Sequence, residues 1–142
     1  GAEVIVDGAH TFAHTVYEIP DLGCDYYGTS LHKWMCSPFG SGLMYIKKEK
    51  IKNSWALLSN DNPDGENIRK FESLGTRSFA AEMAIGSAVD FHLAIGSERK
   101  EKRLFALKKY WTDQVKNLPG VLFYSPLEKT TLAALPTLVF KA

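Results

Sequence analysis

Four clusters in this sequence combine residue types that could do chemistry. The first is Asp7-Gly8-Ala9-His10, directly after the apolar run Val4-Ile5-Val6. The second is Thr29-Ser30-Leu31-His32-Lys33-Trp34, directly after the strand-like run that starts at Asp25. The third is the loop Gly40-Ser41-Gly42, and the fourth is Gly75-Thr76-Arg77, just ahead of a long helical pattern. Each has an ordinary explanation when taken alone. An Asp at a strand end commonly caps a helix or closes a turn, a Lys is usually a solvated surface charge, and Gly-Ser-Gly is usually a turn.

Taken together they suit one chemistry. An enzyme that uses pyridoxal phosphate needs a lysine amine to form an imine with the cofactor aldehyde. It needs a carboxylate to keep the pyridine nitrogen protonated, because the cationic ring is the good electron sink. It also needs hydroxyl, imidazole and backbone N–H donors for a dianionic phosphate. Asp7 can be the pyridinium partner, with His10 beside the ring hydroxyl. Lys33 can be the imine lysine, flanked by Ser30 and His32 as phosphate donors. Thr76, at a helix entrance, can donate through its hydroxyl and its backbone N–H.

The elements that must position these groups follow from pattern. Val4–Val6 is a β-branched run closed by Asp7 and Gly8, the signature of a central parallel strand buried on both faces. Its polar residues then fall at the carboxyl end, where α/β sheets place their ligands. His10 to Ile19 is a mixed connector, and Pro20 ends any helix there. Asp25–Ser30 and Leu43–Ile46 read as second and third strands, separated by the turn-rich Ser37-Pro38-Phe39-Gly40-Ser41-Gly42. A short helical segment surrounds Lys48–Lys52, and Asn60–Glu66 is an exposed polar loop. From Ser78 to Ile95, Phe79, Met83, Ile85, Ala88, Val89 and Leu93 recur at helical spacing. Gly96 is expected as a C-cap and Ser97 as the cap of a second helix, with Glu98 in its first turn. That helix is expected to reach Leu118, with Leu104, Leu107, Trp111, Val115 and Leu118 on one stripe. Arg99, Lys100, Lys102, Lys108 and Lys109 form its opposite face, expected to be solvated. Pro119-Gly120 breaks it, Val121–Tyr124 follows as a strand, and a loop leads to a last strand at Thr137–Lys141.

Composition sets the limits. The chain has 142 residues, 45% hydrophobic and 23% charged, and seventeen Lys and Arg against sixteen Asp and Glu leave a formal net charge of +1. This is ordinary globular composition. It excludes a disordered tail, a collagen-like repeat and a strongly basic nucleic-acid binder. No apolar run approaches a bilayer span. Cys24 and Cys36 are too few for a disulfide framework, fit no paired-Cys metal spacing and suit a reducing compartment, so a cytoplasmic setting is expected, with an upstream targeting segment still compatible. Because the sequence begins and ends on strand-like runs, it reads as a piece of something longer.

The motifs Asp7-Gly8-Ala9-His10, Ser30-Leu31-His32-Lys33-Trp34, Pro38-Phe39-Gly40-Ser41-Gly42-Leu43-Met44-Tyr45 and Phe71-Glu72-Ser73-Leu74-Gly75-Thr76-Arg77 occur in an order and spacing that resembles the class V aminotransferase family, from about Glu3 to about Gly120. The His32-Lys33-Trp34 and Gly75-Thr76-Arg77 variants look more like its isopenicillin N epimerase-like branch than its cysteine desulfurases. The resemblance implies an α/β fold, part of the three-layer fold-type I large domain with the start of an α+β C-terminal domain. Residues 1–96 would be the C-terminal half of the cofactor-binding domain, and 97–142 the connecting helix and the beginning of the small domain. It further implies pyridoxal 5'-phosphate as cofactor, with Asp7 on the pyridine nitrogen, His10 on the ring-hydroxyl side and Lys33 forming the internal aldimine. Ser30 and His32 would contact the phosphate. Thr76 would reach the phosphate of a cofactor held mostly by the other subunit of a homodimer, and Arg77 would position that loop or a substrate carboxylate. The implied substrate is a small molecule, an amino acid, handled by epimerase, aminotransferase or lyase/desulfurase chemistry, with no nucleic-acid or membrane partner.

The departures are equally specific. The family's phosphate loop, the ring stacked on the pyridine and the arginine that grips the substrate carboxylate have no counterpart in this sequence, and neither Cys24 nor Cys36 stands where desulfurases carry their persulfide cysteine. Both are read as small core or near-site residues. The alternative reading is therefore a catalytically inert folded module that binds no cofactor in isolation. His10 and His14 are four apart and, with Asp7, could bind a metal, but the zincin Glu is missing and no metal site is expected. His14 is read as a supporting or surface residue, His92 as structural, and Glu72 as the salt-bridge partner of nearby basic residues.

Overall fold

The structure is a computed structural model that describes residues 1–127 and 137–140. Three strands form the sheet that matters for the site. They are β1 (Ile5–Asp7), β2 (Tyr26–Ser30) and β3 (Gly42–Ile46), in that spatial order. β-Branched and aromatic residues supply the strand preference. β1 runs parallel to β2, pairing Ile5 with Tyr26, Val6 with Tyr27 and Asp7 with Gly28. β3 is antiparallel to β2, from Tyr26 opposite Ile46 to Ser30 opposite Gly42. A parallel pair needs a long crossover, and residues 8–25 provide it, with one 3-10 turn over Ile19–Leu22 that ends at Gly23 (φ 65°).

Side-chain alternation divides this sheet into two faces. Val6, Tyr27 and Thr29 point to the side covered by the crossover, while Ile5, Asp7, Gly28 and Ser30 share the other face. The core sits on the covered side, around Cys24, Tyr27 and Leu31, with His14 buried among them. Met35 and Ile51 are also buried, and Ile46, paired with Tyr26, is buried on the other face of the sheet. Tyr27 carries its hydroxyl into this core, where it bonds the Tyr17 hydroxyl and the Gly8 carbonyl. Burial first, and Tyr17 second, push its phenol pKa up.

One expectation about β1 is overturned. The strand is parallel, but it is not buried on both faces: Ile5 is 77% exposed and Val4 47%. Within the described residues β1 is the outer strand of the sheet, and Ile5 itself is left open.

The rest of the chain is helical before a second small sheet. α1 (Lys48–Ile51) follows β3, a 3-10 turn covers Ile68–Glu72, and α2 (Ala80–Ile95) and α3 (Ser97–Val115) form an adjacent pair. β4 (Val121–Phe123) pairs antiparallel with β5 (Leu138–Phe140). The expected loop over 128–136 and the expected strand residue Lys141 lie outside the described residues.

Several local expectations are corrected here. Ser97 does not cap α3, because its hydroxyl is engaged by His92 Nε2 at 2.9 Å. The cap position belongs to Gly96, whose positive φ (86°) closes α2 and opens α3 together, and whose N–H donates to the His92 carbonyl. α3 ends at Val115 rather than Leu118, and β4 ends at Phe123 rather than Tyr124. The basic face of α3 is not uniformly solvated. Lys108 is 2% exposed, with its ammonium on the Pro126 carbonyl and its stem against the helix, and Lys100 turns inward toward Trp34 and His92. Of the periodic apolar residues of α2 only Ala88 is buried, and Met83 is 80% exposed. No described helix is long and apolar enough to cross a membrane.

Candidate active site at the ends of β1 and β2

The site is organised around the carbonyl of Gly8, the residue that follows β1. It accepts from the backbone N–H groups of Thr11 (3.0 Å) and Phe12 (2.9 Å) and from the hydroxyls of Thr11, Tyr27 and Thr29. The Gly8 N–H in turn donates to the Gly28 carbonyl at 2.8 Å, which extends the β1–β2 ladder by one residue. Only glycine fits there. A Cβ on residue 8 would lie 1.8 Å from the Tyr27 hydroxyl oxygen and 2.0 Å from the ring carbon that bears it. The Asp-Gly pair thus turns sharply out of the strand and leaves Asp7 at the strand end. The Asp7 carboxylate accepts the Ala9 N–H at 3.0 Å, which fixes one oxygen.

Lys33 is held from the neighbouring strand. Its loop is anchored by Leu31 and Met35, both buried, and by main-chain bonds from Cys36 N–H to the Lys33 carbonyl and from Ser37 N–H to the Leu31 carbonyl, each 3.1 Å. The Lys33 amine lies 3.1 Å from His10 Nε2. One proton serves that contact: the ammonium donates to the imidazole lone pair, or the neutral amine accepts from the imidazole N–H. His10 is held in turn through its carbonyl, which accepts from Nδ1–H of His14 at 2.9 Å. The His14 ring packs on Trp34 with centroids 4.1 Å apart. Burial, reinforced by Lys100, holds His14 below the ordinary imidazole range against the opposing effect of that carbonyl bond.

Asp7, Ser30 and Lys33 line one open hollow of about 550 Å3, together with Ile5, Ala9, Gly28 and Thr29. The acid and the amine therefore meet in one concavity, at the carboxyl ends of two parallel strands. Gly28, paired with Asp7, leaves open space beside the carboxylate.

The other expected residues lie elsewhere. His32 is stacked against Phe39 (centroids 5.0 Å) and does not line the hollow. Thr76 is exposed and lines no hollow with Lys33. Arg77 pairs with Glu82 at 2.8 Å and borders a different, polar hollow of about 610 Å3 among residues 60–79. That hollow is the larger of the two, yet Arg77 and Arg69 are both already neutralised, by Glu82 and Glu72 respectively. The reactive combination is in the smaller one. Cys24 is buried, as expected, but Cys36 is exposed with φ 60° and is not a core residue. His92 is structural: it accepts from Lys100 at Nδ1 and donates to Ser97 from Nε2. Among the described residues, no group of three His, Cys, Asp or Glu could hold a metal ion. Two residues that reach this region from α3, Lys100 and Glu101, carry no local signal in the sequence. They meet Trp34 and Val16 across 66 and 85 positions.

With this geometry established, the comparisons with known proteins are specific. The solved structures that resemble the chain include an apo cysteine desulfurase from Thermococcus onnurineus NA1, with TM-score 0.73 and 22% identity, covering 97% of this chain and 36% of that one. Another is the cysteine desulfurase CsdA from Escherichia coli, with TM-score 0.78 and 21% identity over the same shares. The fold is therefore that of part of these chains, the fold-type I architecture. A model of the aminotransferase class-V family matches residues 1–142, and the chain belongs to that family. Among curated relatives, a probable cysteine desulfurase from Halalkalibacterium halodurans is 32% identical over 142 residues, covering 93% of this chain and 34% of its own length. The isopenicillin N epimerase of Amycolatopsis lactamdurans is 29% identical over 140 residues, covering 85% and 34%. The chain spans about a third of the length of these relatives.

Proposed function

We propose that this chain supplies the acid and the amine of the cofactor site in a cytoplasmic, homodimeric enzyme that acts on an amino acid with pyridoxal phosphate. Residues 1–96 then belong to the cofactor-binding domain and 97–142 to the connecting helix and the start of the small domain. The observation that carries this reading is the shared hollow of Asp7 and Lys33.

The donor set fits the cofactor. When bound, pyridoxal phosphate supplies an electron sink for the α-carbon of an amino acid. Asp7, oriented by the Ala9 N–H, is placed to hold a proton on a ring nitrogen through its remaining oxygen. Lys33 supplies the primary amine for attachment and, when free, a base. His10, 3.1 Å from that amine, stores or returns its proton. Ser30, at the end of β2, offers a hydroxyl to an anion in the hollow, and His32, stacked on Phe39, is the second phosphate donor. Thr76, which does not line the hollow of its own chain, serves the phosphate held by the partner subunit. Epimerisation, transamination and desulfuration share these steps, and relatives named for the first and the last are both similar to this chain.

The test is spectroscopic. The full-length protein mixed with pyridoxal phosphate is expected to show a band at about 410–430 nm that disappears on borohydride reduction, and Lys33→Ala is expected to abolish it. A band that survives Lys33→Ala overturns the role of Lys33, and absence of the band from the folded parent overturns the cofactor reading and leaves an inert module.

A further inference from the structure

The Lys33–His10 pair sits on two loops, and both are tied to α3. Lys100, at the start of that helix, donates to the backbone carbonyl of Trp34, the residue next to Lys33. Its second acceptor is His92 Nδ1 at 3.2 Å. Burial holds the Lys100 ammonium below its ordinary range, and both of its acceptors, a carbonyl and an imidazole nitrogen, are uncharged. The next residue, Glu101, accepts the Val16 N–H at 3.2 Å. Val16 closes the segment that carries His10 and His14. The two loops also bind each other, through the His14–Trp34 stack and the Lys33–His10 contact. The result is a closed circuit of helix, loop, loop and helix around the amine.

We propose that Lys100 and Glu101 are positioning residues: adjacent on α3, they fasten the two site loops to the connecting helix and so set where the Lys33 amine stands. This rests on the reading of Lys33 as the attachment amine. It makes α3 part of the site's support although none of its residues lines the hollow. A shift of α3 along its axis moves both loops at once.

The test uses the full-length protein with pyridoxal phosphate, and hydrogen–deuterium exchange resolved by peptide. Lys100→Met is expected to speed exchange at Cys36 and Ser37, within the 31–37 segment, by about tenfold, the loss of roughly one hydrogen bond's worth of local protection. The β2–β3 ladder is expected to keep its parent rate, and Lys100→Arg, which can still donate to the Trp34 carbonyl, to restore protection. Glu101→Ala, at a partly exposed position, is expected to speed exchange over 11–16 by about threefold, and it carries the test should Lys100→Met not fold. Borohydride-trapped cofactor in the parent is mapped separately. Trapping at Lys33 with unchanged exchange in both variants, or with exchange rising evenly through strands and helices, overturns the positioning role alone. Trapping at a different lysine overturns the site reading and the positioning role with it.

Discussion

The ends of β1 and β2 and the entrance to α2 are built from the same materials. Each offers a glycine, a hydroxyl and a cation: Gly8, Ser30 and Lys33 in one, Gly75, Thr76 and Arg77 in the other. They are held very differently. The first is fixed by main-chain bonds converging on Gly8, by the buried Tyr27 ring beneath it and by loops anchored at Leu31 and Met35. The second is fixed by one partly exposed ion pair, Arg77–Glu82, and by the Arg77 guanidinium lying 5.1 Å from the Phe79 ring centre. Exposed pairs contribute little, whereas buried close packing contributes much. The first region therefore owns its geometry, while the second is held mainly by exposed contacts.

The largest effect that sharpens this contrast is chemical. Asp7→Asn keeps an oxygen for the Ala9 N–H but removes the charge. Exchange of the α-hydrogen of L-alanine or L-cysteine with solvent deuterium, catalysed by the cofactor-loaded full-length protein, is expected to slow by at least about 100-fold, with a much smaller change in cofactor affinity. Equal losses in both would break the role given to Asp7. Next comes Gly8→Ala, whose new methyl group would overlap the Tyr27 ring. A cost of about 1–3 kcal/mol in urea unfolding is expected, typical of forced overpacking, and an unchanged midpoint would show that the turn is not held as described. A smaller effect is set by pH. Because burial lowers the folded-state pKa of His14, the unfolded chain takes up its proton first. The stability that His14 contributes is complete above its unfolded value near 6.5 and is lost as the pH falls through that value toward the folded one. His14→Phe, which keeps a ring against Trp34, is expected to flatten that part of the stability–pH curve. The smallest effect belongs to the second region: Arg77→Ala is expected to change stability by no more than about 0.5 kcal/mol, and a larger loss would erase the contrast between the two regions.

Much of the site was legible because its parts are local. An apolar β-branched run ending in Asp-Gly marks a strand end on any reading, and a Lys two or three residues beyond a second strand falls at the same sheet edge once the two strands are parallel. Helical periodicity placed α2 and α3 for the same reason, since their spacing is written within each segment. What stayed hidden depends on residues far away in the chain. Periodicity shows that Met83 and Ala88 lie on a helix, but not that Met83 is open and Ala88 covered. The inward-turned ammonium groups of Lys100 and Lys108 look like their solvated neighbours until the Trp34 and Pro126 carbonyls that accept from them are located. Ile5 reads as buried because β-branched runs usually are, whereas its exposure depends on what lies over the open face of β1.

The Gly8 carbonyl has two lone pairs and more than two donors in reach, so those donors share it. Tolerance to change is therefore uneven at this point of the chain. Thr11, Tyr27 and Thr29 can each lose a hydroxyl while the others still occupy the oxygen, so drift at any one of them is survivable. The glycine has no understudy, and in a collection of variants under selection it should be the position that stays silent.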